Sequence, residues 1–232
     1  MGTSKQAPSK WLFEEKSPGF ERLTMLCDGI FAIAMTLLVL DIKLPDGVNF
    51  TQGMNGLLSK SLFYLLTFII VANYWIQHRQ LTIFIKRQDQ TFTLLTFVFL
   101  AFVVFFPVSF NVLVSNNDNS AAVVVFYTLV LAGCGLSSFF LWFYATWKHR
   151  LVDVDLGQEV IKSRLLGLLI GPLYFCLSLF LLLIPGIRSN DVFYSWLLLP
   201  MAIRAIYLIR ERGTKNSLPS FSRKRAKMAS YR

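Results

Sequence analysis

Residues 20–42 read FERLTMLCDGIFAIAMTLLVLDI. No side chain between Gly29 and Leu40 is charged, and the run is long enough to cross a bilayer as a helix. One carboxylate, Asp28, sits inside it. An ionisable group at that depth is costly in hydrocarbon, so it marks a buried partner, a water-filled cavity or an ion path.

The rest of the chain repeats the pattern. Six apolar runs stand at approximately 20–42, 57–79, 92–114, 121–147, 163–184 and 191–210, each near the length a bilayer requires. Of the 232 residues 55% are hydrophobic and 16% charged, and mean hydropathy is +0.55. A soluble domain of this size carries more charge. Transmembrane β-strands would be alternating segments of about 10 residues. The continuous runs here exclude them. The sequence therefore predicts an all-α polytopic membrane protein. Its organisation is an N-terminal segment over 1–19, a six-helix unit over 20–210 and a basic tail over 211–232. Pro45-Asp46-Gly47, Asn116-Asn117-Asp118-Asn119 and Pro185-Gly186 punctuate the first, third and fifth runs. No internal repeat supports an inverted-repeat transporter.

The net charge of +10 is an orientation signal, not a nucleic-acid footprint. The basic residues crowd into the N-terminal segment, the loops after the second and fourth runs, and the tail. The other three loops carry or border only Lys43, Lys60 and Arg188. This asymmetry places both termini in the cytoplasm of a multi-pass cell-membrane protein. The cluster Arg223-Lys224-Arg225-Ala226-Lys227 suits either anionic lipid headgroups or a disordered positive-inside tail. The polar N-terminal segment lacks a small-residue cleavage site and reads as retained. Cys27, Cys134 and Cys176 fall inside apolar runs and read as packing residues, with no metal-ligand spacing. Trp11, Trp142, Trp147 and Trp196 lie near run ends, where indoles anchor at interfaces.

At 100° per residue, the first helix separates two stripes. Arg22, Leu26, Gly29, Ile33, Thr36 with Leu37, and Leu40 form one; Thr24, Asp28, Phe31 and Met35 form another. A dry stripe of Ile, Thr and Leu suits a hydrophobic constriction. The same spacing also describes any packed membrane helix. In the second run, Trp75 and His78 are one turn apart near its basic end. Asp28 lies roughly 12 Å inside the first run from that same end. Either Trp75 or His78 can reach it, and a carboxylate bonded to an indole or imidazole N–H would lock the two helices together. Arg22 either assists at the mouth or snorkels to headgroups.

Arg22, the run from Asp28 to Leu40, and Trp75 with His78 together resemble the transmembrane protein 175 family, the lysosomal potassium channels and their prokaryotic relatives. The resemblance is to the prokaryotic branch. It implies one six-helix unit per chain, a homotetramer, and first helices around a central pore with potassium ions as the permeant species. It implies no enzymatic activity and no cofactor. By register from Asp28 it puts the constriction at Ile33 and Thr36, with Leu37 on the same stripe and Leu40 a second narrow ring. Arg22, Asp28, Trp75 and His78 fall on the family's structural hydrogen-bond network. The family's Phe-Ser-Asp is Leu26-Cys27-Asp28 here, and a thiol is a poorer donor than a hydroxyl.

The residues alone leave two other readings open: a proton-coupled secondary transporter with Asp28 and His78 as relay, and an assembly protein that transports nothing. Elsewhere, Asp153, Asp155 and Glu159 read as a solvated helix start. Gly167 and Gly171, followed by Pro172, read as a site of close helix packing with a kink.

Overall fold

The computed structural model describes residues 13–14, 18–43, 50–115, 120–186, 191–192 and 195–196. The chain divides into a unit over Met1–Val192 and a second over Phe193–Arg232. Only Ser195 and Trp196 of the second unit are described. The expected sixth span therefore falls almost wholly outside the described residues, as does the basic tail.

The first unit is helical. Its long helices are α1 (Pro18–Leu37), α2 (Phe50–Thr82), α3 (Gln90–Ser115), α4 (Ala121–Thr146) and α5 (Gln158–Ser178). Among the described residues, these five are long and apolar enough to cross a membrane. Three of them run into 3-10 turns at their C-termini, α1 over Leu38–Asp41, α4 over Trp147–His149 and α5 over Leu179–Leu183.

The helix starts follow from local chemistry. Pro18 opens α1, where its missing N–H is no loss. Asp89 caps α3, its Oδ1 accepting from Phe92 N at 2.8 Å. Ser120 caps α4, its Oγ accepting from Ala122 N. Gly157 caps α5 with Glu159 in the first turn. Of the acidic cluster only Glu159 lies in α5; Asp153 and Asp155 stand in the turn before it, where Asp153 Oδ1 accepts from Asp155 N at 3.3 Å. After α4, Lys148 and His149 adopt φ of 52° and 53°, which turns the chain sharply toward α5.

Helix α4 is the centre of the unit, packed between α3 and α5. Half of its most apolar stretch is buried, against 22% for α1 and 11% for α2. Close approach occurs at Gly133 and Gly135 of α4. A Cβ at Gly133 would meet the Phe102 ring, and one at Gly135 would meet the Pro172 ring. This corrects the expectation for α5: Gly167 and Gly171 have nothing within 4 Å, and it is Pro172 that uses a glycine, on the facing helix. Cys27 and Cys134 are buried as expected, whereas Cys176 is exposed. Trp142 is also not interfacial. It is fully buried and donates from Nε1 to Ile161 O at 3.2 Å.

The basic loops meet at one end of the unit. Strand β1 (Phe13–Glu14) pairs antiparallel with β2 (Arg87–Gln88), Phe13 opposite Gln88. Ile85 bridges to Val152, and the N–H groups of Lys86 and Arg87 both donate to Leu151 O. Asp89 then ties the α2–α3 loop to α4, its Oδ2 accepting from Tyr144 Oη at 2.6 Å and from Arg150 Nε at 3.2 Å.

Candidate functional site

Helix α1 has two faces. Cys27, Phe31, Ala34 and Leu38 are buried, at spacings of four, three and four residues that mark the face packed into the bundle. Opposite them Ile33 is 59% exposed, Leu37 42% and Leu40 59%, with Thr36 exposed among them. The uncovered face thus holds the stripe of Ile33, Thr36, Leu37 and Leu40. Thr36 Oγ1 donates back to Ile33 O at 2.9 Å. Its hydrogen is then committed, and the hydroxyl oxygen presents only lone pairs outward.

Asp28 lies at the border of the two faces. Its Oδ1 accepts from Trp75 Nε1 at 2.8 Å, joining α1 to α2. The carboxylate itself is exposed in the single chain, and of the second stripe only Phe31 is buried. The guanidinium of Arg79 sits over the Trp75 indole, 5.6 Å from the ring centroid. The indole is thus held from two sides, by an anion at its edge and a cation on its face.

His78 goes elsewhere. It is buried, stacked on Phe99 with centroids 5.0 Å apart, and 6.4 Å from Phe31. The Phe31 and Phe99 rings lie 5.7 Å apart, so His78 completes a three-ring packing between α1, α2 and α3. Arg22 lies nearer the basic end and, among the described residues, is not hydrogen-bonded to Asp28. It lines an open cavity of about 590 Å³ together with Gln88, Thr93 and Phe97.

Sequence reasoning thus brought Asp28 and Trp75 together by depth. It did not anticipate Arg79, although Trp75 and Arg79 are four residues apart and share a helix face. It also missed Phe99, whose role depends on how α3 packs and has no local sign.

The family model described as "Endosomal/lysosomal potassium channel TMEM175" matches residues 22–107, which include α1 from Arg22 onward, the Asp28–Trp75 pair and His78. A protein of Streptomyces collinus named a potassium channel is 26% identical over 163 residues, covering 68% of this chain and 79% of that protein. One from Chamaesiphon minutus, also named a potassium channel, is 30% identical over 149 residues, covering 62% of this chain and 72% of that one. The crystal structure of a lysosomal potassium-selective channel TMEM175 homolog from Chamaesiphon minutus superposes with a TM-score of 0.62 at 22% identity. The match covers 84% of this chain and 98% of that one.

Proposed function

Because this chain belongs to the endosomal/lysosomal potassium channel TMEM175 family, we propose that it is a potassium-permeable cation channel of the cell membrane. Four copies surround the conducting path with their α1 helices. The channel unit is residues 20–210, with the flanking basic segments on the cytoplasmic side.

The observation that carries this reading is the uncovered face of α1. A membrane helix can turn Ile33, Leu37 and Leu40 to lipid at no cost. The same face, with its border, also holds Thr36 and the carboxylate of Asp28, all open in the single chain. An exposed carboxylate on a span does not sit against acyl chains. Other copies of the chain or water must cover it. Side by side around an axis, four such faces make a narrow apolar ring at Ile33, with a layer of hydroxyl oxygens at Thr36 one turn on. The ring restricts wetting, and the oxygens replace part of a cation's hydration shell. Leu40 adds a second apolar ring. The Trp75–Asp28 bond fixes α1 against α2 and so sets the radius of the ring.

A proton relay has less support. It needs Asp28 and His78 joined directly or through one water, and in this geometry the carboxylate is bonded to Trp75 while His78 packs between two phenylalanine rings.

The test is potassium flux into liposomes that hold the purified protein, under a potassium gradient. The reading expects flux well above that of empty vesicles. Flux no greater than theirs would remove it.

A further inference from the structure

We infer that Asn111 of α3 is a positioning residue for the conducting path: by holding the Asp41 carboxylate, it keeps the last turn of α1 tightly wound and keeps that carboxylate off the open face. The inference rests on the reading that ions pass along this face. Asn111 Nδ2 donates to Asp41 Oδ1 at 2.6 Å, and among the described residues it is the hydrogen-bond partner of that side chain. The bond joins the far ends of two helices, since α1 and α3 both start at the basic end of the unit.

The winding of the turn decides where residue 41 lies. In an α-helix each residue advances about 100°, which would set Asp41 about 40° from Leu37 and on the same stripe. Residues Leu38–Asp41 form a 3-10 turn instead. With an advance of about 120° per residue, Leu40 stands over Leu37 and Asp41 falls about 120° from both. That is off the open face, where Asn111 meets it. Asp41 is accordingly half-buried, whereas Leu40 is exposed. Nothing local favours this placement. A carboxylate in a last turn faces the negative end of the helix dipole, and 3-10 hydrogen bonds have poorer geometry than α ones. The hold comes from the rest of the bundle: Leu38 is fully buried, and the Asn111 amide supplies a donor. Without that donor the turn relaxes toward α, and one carboxylate per copy swings onto the path beside Leu40.

The experiment is block of potassium current by calcium, added to the side opposite the basic loops, in planar bilayers that hold the full-length protein. Asn111→Leu is close in shape, removes the donor and, at an exposed position, opens no void in the core. It should strengthen calcium block about tenfold, because carboxylates then stand on the path. Adding Asp41→Asn should return block to near the wild-type level. Asp41→Asn alone keeps an acceptor for Asn111 and should leave block near that level too. A bond that merely stabilised the fold would not produce this pattern. Block no stronger in Asn111→Leu than in the wild type, or a rise that survives the added Asp41→Asn, overturns the inference. Absence of current from the wild-type protein would strike the conduction reading alone, and the turn is then read by hydrogen exchange. Asn111→Leu should speed exchange over residues 38–42 about tenfold; an unchanged rate overturns the hold of Asn111 on the turn.

Discussion

At the scale of single residues, Asp28 and Trp75 carry one bond that does two jobs. It satisfies a carboxylate on a membrane span and it pins α1 to α2. Trp75→Phe keeps most of the packing but removes the donor. We expect it to lower stability by about 1–3 kcal/mol, read as a lower unfolding midpoint of the purified protein. Asp28→Asn keeps an acceptor oxygen for the indole and should cost less. The reverse order would mean that the charge matters more than the hydrogen bond. Ile33 makes the opposite kind of prediction. Ile33→Asn should leave stability nearly unchanged, because the side chain is mostly uncovered in the single chain. It should wet the ring, raise conductance and weaken the preference among cations in bilayer recordings. Asp28 was conspicuous in the sequence because charge inside an apolar run has no local explanation. The packing of His78 between Phe31 and Phe99 was not, because an aromatic residue in a membrane helix has many equivalent neighbours until the helices are placed.

At the scale of elements, the five described spans were legible because length and hydropathy suffice to set them. Helix ends were less so. Helix α2 starts at Phe50, through the polar run Thr51-Gln52-Gly53, and α5 starts at Gln158, before its apolar run. Hydropathy registers where a helix enters hydrocarbon, whereas caps and hydrogen bonds decide where it begins. Glycine spacing misled for a related reason. Gly167 and Gly171 have the spacing of a packing motif but face open space, and the close contact is made by Gly135 with Pro172. Gly135→Ala should therefore destabilise the α4–α5 pair by about 1–3 kcal/mol, while Gly167→Ala should be tolerated. Equal midpoints for the two would contradict this packing. The loop end of the unit depends on Asp89, which caps α3 and accepts from both Tyr144 and Arg150. Asp89→Ala should cost at least about 1 kcal/mol from the lost cap alone, and Tyr144→Phe, which removes one bond, should cost less.

At the scale of the whole molecule, the arrangement follows from what each helix leaves uncovered. The centre, α4, is closed by its own chain, whereas α1 and α2 are largely open. A helix with a packed face of Cys27, Phe31, Ala34 and Leu38 and an open face of Ile33, Thr36, Leu37 and Leu40 is built to meet something outside the chain. The proposed function places that meeting at an axis between copies. The central claim is that ions pass along this open face. Cysteine at Ile33 tests it most directly, in a background where the exposed Cys176 is replaced by serine. Potassium current is recorded while a water-soluble thiol reagent is applied. A thiol on the conducting path is wetted and reacts, and the bulky adduct should block the current. If mass analysis shows the cysteine modified and the current is unchanged, α1 does not line the path.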